Sequence, residues 1–102
     1  MVCVIFRAKM KPGKEDEAVK KMTWMAETVL AQEPGVAAYV LHRLQEDPST
    51  LVFYEMYKDD DAFKAHGGTA HMGEMRSTFP DLFDTTAVKL ERLEHVAGFV
   101  RG

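Results

Sequence analysis

Two histidines and one carboxylate are the residues of this chain whose types and spacing suggest chemistry. His66 and His71 flank a double glycine, and Glu55 stands shortly before them in a run of aromatic and β-branched residues. A carboxylate within an apolar strand must find a partner, face water or line a cavity, because burying it alone is costly. Histidine exchanges protons near neutral pH. The three residues therefore predict a site for proton transfer.

Aromatic residues surround these three groups in the sequence. The stretch 51–57 has the composition of a buried strand, and strand alternation places Phe53 and Tyr57 on the same face as Glu55. Phe63 and Phe79 follow in the next helical segments. A cavity lined in this way suits a flat, apolar ligand with one or two ring hydroxyls. The competing interpretation is that these residues form only the core between a sheet and its helices.

Other kinds of site fit the sequence less well. His66 and His71 are five residues apart, whereas two metal ligands on one helical face are four apart. The double glycine could reorient them, with Glu55 completing a two-histidine, one-carboxylate set, but histidines near helix ends are more often caps or packed residues. Cys3 lacks an activating neighbour, and no phosphate-binding loop is present. We therefore predict no metal and no cofactor.

Hydrophobic periodicity predicts the elements that position this site. Strands are predicted over 2–9, 36–45, 51–57 and 85–93, and helices over 14–33, 60–67 and 69–79. Asp59 and Thr69 are expected to cap the second and third helices, and Pro80 to end the third. This order is typical of the split βαβ, ferredoxin-like α+β fold, with a four-stranded antiparallel sheet and helices on one face.

The first predicted helix carries one broad apolar stripe. Trp24 projects away from that stripe, so we expect it to contact a neighbouring loop or subunit. The stripe is expected to be core, and its members are Ala18, Val19, Met22, Met25, Ala26, Val29 and Leu30.

The predicted strands are apolar on both faces, although the chain can cover only one of them. Strands buried on both sides need a second cover, so we expect two copies to pack sheet on sheet as a homodimer with a barrel-like centre. The tail 94–102 carries Val96, Phe99 and Val100 without a predicted element of its own. We expect this tail to lie on the partner subunit.

Length and composition indicate a single domain over 1–102, with a core over 2–93 and the tail after it. The 102 residues are 46% hydrophobic and 28% charged, which is ordinary for a globular protein. A net charge of −3 provides no basic field for nucleic acid, and no apolar run has the length of a membrane span. With one cysteine and no leader-like segment at the start, the chain is predicted to be cytoplasmic.

Several short motifs, in this order and spacing, resemble the antibiotic biosynthesis monooxygenase family over about residues 2–93. The resemblance implies a dimeric α/β barrel of ferredoxin-like subunits that oxidise quinols or anthrone-type aromatics with molecular oxygen, without metal or organic cofactor. His71 and Glu55 match recurrent pocket positions. The motifs are Pro12-Gly13, Glu33-Pro34-Gly35 before Tyr39, Glu55-Met56-Tyr57, Phe63-Lys64-Ala65-His66 and Thr69-Ala70-His71.

The function expected from the resemblance is the oxidation of a small aromatic compound with molecular oxygen. The compound would be a quinol, or a related phenol or polyketide-like aromatic. His71 would be the base or orienting group, His66 its neighbour, and Glu55 the partner of an imidazole or of the substrate. The expected substrate-binding residues are Tyr39, Phe53, Tyr57, Phe63 and Arg43.

Two alternatives remain open at this point. One is an isomerase of a small phosphorylated sugar-like signal molecule, for which Arg43 and Arg76 would bind the phosphate. The other is a non-catalytic ligand-binding or stress-response domain of the same fold. Haem degradation is disfavoured, because that branch carries a tryptophan at the position of His66 and an asparagine on the first strand, and this chain has neither.

Overall fold

The computed structural model describes residues 1–101 and contains four strands and three helices. The strands form one antiparallel sheet in the order β2-β3-β1-β4, which confirms the predicted ferredoxin-like α+β fold. In chain order the elements are β1 (Val2–Met10), α1 (Glu15–Gln32), β2 (Val36–Arg43), β3 (Thr50–Tyr57), α2 (Asp60–Gly67), α3 (Ala70–Leu82) and β4 (Phe83–Leu93).

The helices pack on one face of the sheet, which we call the inner face. Cross-strand partners share a face, so the register that pairs Phe6 with Phe53 and with Leu90 places all three there. Every strand residue in the buried clusters lies on this face. The opposite, outer face carries Ile5, Val40 and Tyr54 at neighbouring positions, and those clusters include none of its residues.

Helix α1 buries its predicted stripe with one exception. Ala18, Met22, Met25 and Val29 are buried, but Leu30 is 87% exposed, so its predicted place in the core is wrong. Each helical residue advances by about 100°, and Leu30 therefore points past the edge of the stripe that Val29 occupies. Trp24 is half-buried against the core, and the Lys21 ammonium lies 4.0 Å from the centre of its ring.

Both predicted caps at the helix N-termini are confirmed. The Asp59 carboxylate accepts a hydrogen bond from the backbone N–H of Ala62 at 2.8 Å, which fixes the start of α2. The Thr69 hydroxyl accepts from the backbone N–H of Met72 at 3.3 Å and starts α3. These two caps fix the ends of helices that carry His66 and His71.

The third helix does not end at Pro80 as predicted but continues to Leu82. Proline removes one backbone hydrogen bond, yet this loss falls in the last turn, where few such bonds remain to be made. Continuing the helix buries Leu82 and brings Phe83 to full burial, stacked on Phe79 with ring centres 4.6 Å apart. The apolar burial outweighs the single lost hydrogen bond.

Candidate functional site

A cavity of about 530 Å³ lies between the inner face of the sheet and the three helices. Its walls are mostly apolar and aromatic, and residues from all four strands and all three helices contribute to them. The polar side chains that border it are those of Tyr39, Glu55, Lys64, His66 and Arg76. The main apolar lining residues are Phe6, Met22, Met25, Phe53, Phe63, Met72, Met75, Phe79, Val88 and Leu90.

Next to this cavity, one carboxylate joins both histidines. The two oxygens of Glu33 lie 3.0 and 3.1 Å from His66 Nδ1, and Glu33 Oε2 lies 2.5 Å from His71 Nε2. Both imidazoles are 6% exposed. Because a carboxylate only accepts hydrogen bonds, both nitrogens act as N–H donors to it.

Three helix ends bring this cluster together. Glu33 is the residue that follows α1, His66 lies in the last turn of α2, and His71 lies in the first turn of α3. Thr69 connects the last two, because its hydroxyl also donates to the backbone carbonyl of His66 at 2.8 Å. The cap of α3 therefore holds the two histidines at a fixed separation, with ring centres 6.4 Å apart.

His66 is the histidine that reaches the cavity. Its Nδ1 bonds to Glu33, and within residues 1–101 no side chain is hydrogen-bonded to its Nε2. Every fully buried side-chain nitrogen or oxygen in this part of the chain has a hydrogen-bond partner. Since Nε2 has no such partner, it is not fully buried. His66 borders the cavity and His71 does not, which leaves His66 Nε2 as the imidazole nitrogen able to exchange a proton with a bound ligand.

Glu55 has a different partner from the one expected. The sequence suggested an imidazole or the substrate, but the Tyr57 hydroxyl donates to Glu55 Oε1 at 2.5 Å. Burial raises the pKa of Glu55 to about 7, the hydrogen bond from Tyr57 counteracts part of that rise, and the nearby charge of Glu33 adds to it. Burial likewise raises the pKa of Tyr57 and of Tyr39, and the charge of Glu55 adds to both.

Replacing Glu55 by glutamine should remove a pH dependence of stability. The folded-state pKa is raised, so folding favours the protonated acid, and this stabilisation is present below about pH 4.5 and is lost as the pH rises through about 7. Wild type should therefore lose roughly 2–3 kcal/mol of unfolding free energy between pH 5 and pH 8, and the glutamine variant should not show this loss. Urea unfolding at both pH values measures this difference.

The matched control for this measurement is Glu27→Gln, which changes an exposed glutamate on α1. It should follow wild type at both pH values. Parallel pH dependences for wild type and Glu55→Gln would contradict the raised pKa.

The predicted site residues occupy three kinds of position. Tyr39, Phe53 and Phe63 border the cavity together with Glu55 and His66. Tyr57 is fully buried behind this layer, where its ring meets that of Phe63 edge to face at 5.1 Å. His71 lies in the second layer beside Glu33.

Arg43 lies apart from these residues, at the exposed end of β2, and does not border the cavity. Sequence reasoning missed Glu33, which it used only as the residue before the Pro34-Gly35 break. Glu33 could have been identified as an acidic residue at a predicted helix end, in a chain whose two histidines had no assigned partner.

The fold and site define a class of protein: a small ferredoxin-like α+β domain with an aromatic cavity and buried proton-exchanging groups. The family model for antibiotic biosynthesis monooxygenases matches residues 1–78. The chain belongs to this family.

Solved structures agree with that assignment. A protein from Caulobacter crescentus CB15 described as an antibiotic biosynthesis monooxygenase by similarity is 29% identical, with a TM-score of 0.87 over 94% of this chain and 90% of that chain. Another antibiotic biosynthesis monooxygenase is 26% identical, with a TM-score of 0.84 over 95% and 100%. A relative from Bacteroides thetaiotaomicron, 20% identical with a TM-score of 0.87 over 99% and 94%, shares the fold.

A comparison with curated proteins finds no match. None of the helices in residues 1–101 has both the length and the apolar character that a membrane crossing requires.

Proposed function

We propose that this protein oxidises a small quinol or related phenol with molecular oxygen inside the aromatic cavity, without an organic cofactor. The observation that carries the proposal is the position of His66, which borders the cavity while its Nδ1 is held by the buried carboxylate of Glu33. Membership of the monooxygenase family supports the same chemistry.

The protein's part in this chemistry is proton transfer. A phenol reacts slowly with oxygen, whereas its anion is electron-rich, so a base that removes a ring hydroxyl proton starts the reaction. His66 Nε2 accepts that proton, and Glu33 stabilises the resulting imidazolium through Nδ1–H, as a carboxylate does for a catalytic histidine. His71 acts as a positioning residue, because it holds Glu33 from the other side.

Glu55 supplies a second proton-exchanging group on the cavity wall. A carboxyl group with a pKa of about 7 is half-ionised at neutral pH, which suits a group that both accepts and returns protons. A quinol has two ring hydroxyls, and His66 and Glu55 provide one acceptor for each. Tyr39, which borders the cavity beside Phe53 with ring centres 4.4 Å apart, is positioned to bind a ring oxygen.

The reaction balances without any further reductant. A quinol and O₂ give a hydroxyquinone and water: one oxygen atom enters the ring, the other leaves as water, and the ring supplies all four electrons. The apolar walls favour both the flat ring and dioxygen.

The isomerase remains the second candidate, because two cations border the cavity. Lys64 on α2 and Arg76 on α3 are exposed lining residues, and Arg76 is fixed by a 2.8 Å hydrogen bond to the carbonyl of Gly67. An anionic substituent such as a phosphate would bind between such groups. Arg43, the other residue expected for this role, lies away from the cavity.

The proposed working form is a homodimer that packs outer face on outer face. That face carries an apolar patch whose partly exposed members are Ile5, Val40, Val52 and Tyr54, while Cys3 and Met56 on the same face are already buried in the single chain. Charged groups lie towards one end of it, where Arg7 pairs with Glu91 at 3.1 Å. A large apolar sheet face of this kind is typical of an interface. The exposed tail residues Val96, Phe99 and Val100 offer a second contact with the partner.

A cytoplasmic location is part of the proposal. Its support is Cys3, a free thiol buried on β1, which suits a reducing compartment.

Oxygen consumption with a panel of quinols tests the proposed function. With ¹⁸O₂, mass spectrometry should find one labelled atom in the hydroxyquinone and one in water. The control is each quinol with heat-unfolded protein, which measures spontaneous oxidation. If no quinol is consumed faster than in that control, although calorimetry shows that it binds, the protein is a ligand-binding domain and the oxygenase proposal is wrong.

A further inference from the structure

We propose that Glu33, His66 and His71 form a binding site for one divalent transition-metal ion of the zinc type. The donor atoms are a carboxylate oxygen, His66 Nδ1 and His71 Nε2, and all lie within 4.8 Å of one another. Zinc binds imidazole and carboxylate at roughly 2.0–2.2 Å, so neighbouring donors in a tetrahedral site are about 3.3 Å apart. The sequence allows such a set with Glu55 but predicts no metal, whereas in the structure the carboxylate beside both histidines is that of Glu33.

The orientation of the donors fits an ion. Both ring nitrogens already point at the same carboxylate, at 3.0 Å for His66 and 2.5 Å for His71. An ion takes the place of the two N–H hydrogens, provided that Glu33 Oε2 draws back from His71 Nε2, from 2.5 Å towards the roughly 3.3 Å that separates neighbouring donors of a tetrahedral site. The three rotatable bonds of the glutamate side chain permit that movement.

The charge balance of the cluster also favours a cation. The Glu33 side chain is only 9% exposed, and within residues 1–101 its ion-pair partners are the two histidines alone. No lysine or arginine of this part of the chain lies within ion-pair distance of it. A buried carboxylate needs a cation or strong donors, and a divalent ion with two neutral imidazoles satisfies it fully.

The ion would lie behind the cavity and would not touch a ligand inside it. Of the three ligands only His66 borders the cavity. Its Nδ1 would bind the metal, which leaves Nε2 for the cavity. The ion is therefore a regulator of the site and has no part in activating oxygen.

Its effect follows from the tautomer of His66, and this step rests on the proposed function. A metal on Nδ1 requires the ring proton to be on Nε2. His66 can then only donate a hydrogen bond to the cavity, so it no longer accepts a proton from a quinol. The metal-bound protein should consequently oxidise a quinol about 10²–10⁴-fold more slowly, which is the usual contribution of a positioned acid–base group, while its cavity remains open to ligands.

Titration of the full chain, without an affinity tag, with Co²⁺ and Zn²⁺ tests the site. We expect one Co²⁺ per chain with the visible absorption of a tetrahedral ion, displaced by one Zn²⁺. Glu33→Gln and His71→Ala should each weaken binding by more than the roughly 10–100-fold that loss of an outer-sphere partner costs. His42→Ala is the matched control, because His42 is exposed on the outer face, and it should bind as wild type does.

Absence of saturable binding to wild type, or equal affinity in wild type and Glu33→Gln, would overturn the proposal. Glu33→Gln keeps the size of the side chain, so it serves if His71→Ala does not fold, and thermal unfolding of each variant confirms the fold. The titration needs no turnover. If the protein binds Co²⁺ but consumes no oxygen, only the proposed oxidation is wrong. If it oxidises a quinol but binds no metal, only the proposed metal site is wrong.

Discussion

Replacing His66 by glutamine should lower the rate of oxygen consumption with a quinol by about 10²–10⁴-fold, the usual contribution of a positioned acid–base group. Glutamine can still donate a hydrogen bond to Glu33, so the cluster keeps a polar partner at this position. It cannot take up a proton from a bound ligand. Initial rates at saturating quinol, with binding measured separately by calorimetry, should show the loss in turnover and little change in affinity.

The control for this variant is His42→Gln, which changes an exposed histidine that does not border the cavity and whose Nδ1 lies 3.1 Å from the backbone carbonyl oxygen of Val40. Because His42 is on the outer face, sedimentation of this control should first show the same assembly state as wild type. This control should retain the wild-type rate. A His66→Gln protein with nearly full activity would show that Glu55 or another group removes the proton, and the role of His66 would have to be abandoned.

Replacing Ile5 by lysine should dissociate the homodimer. Ile5 is half-buried at the middle of the sheet, beside Tyr54 on β3 and Glu91 on β4, on the face proposed to meet the partner. A charge buried in an interface costs several kcal/mol, and Glu91 offsets little of that cost because it already pairs with Arg7 at 3.1 Å. A two-fold axis introduces the charge twice. The dimer dissociation constant should rise by at least about 1,000-fold. Sedimentation equilibrium over a range of protein concentrations measures this change.

The matched control is Leu30→Lys, which makes the same chemical change at an apolar residue that is 87% exposed on α1. It should sediment as wild type does. Val40→Lys, on the same outer face but on the edge strand β2, provides a second variant if Ile5→Lys is unstable. If the wild-type protein sediments as a single chain at micromolar concentration, the proposed dimer is wrong.

Local patterns in the sequence were enough to predict the fold. Strand alternation placed Phe53, Glu55 and Tyr57 on one face, and all three are buried there. The caps at Asp59 and Thr69 were readable, because a capping side chain bonds to a backbone N–H only three residues away. Interactions of this kind depend on neighbours in the chain, so the sequence contains them explicitly.

The errors arose where a local preference competed with packing. Proline disfavours a helix locally, but α3 continues beyond Pro80 because this buries Leu82 and Phe83. Leu30 continues an apolar stripe on α1, but no element covers that edge, so it stays exposed. In both cases the outcome depends on which elements pack against the residue, and periodicity does not reveal that.

The sequence by itself determined the class of fold, the two histidines and the carboxylate on β3. Only the tertiary structure decided how they are connected: Glu33 lies 33 residues from His66 and 38 from His71, yet it bonds to both. It also decided that His66 borders the cavity while His71 supports Glu33 from behind. The physical reason is that a hydrogen bond between three helix ends depends on how the helices pack on the sheet, and no local spacing specifies that geometry.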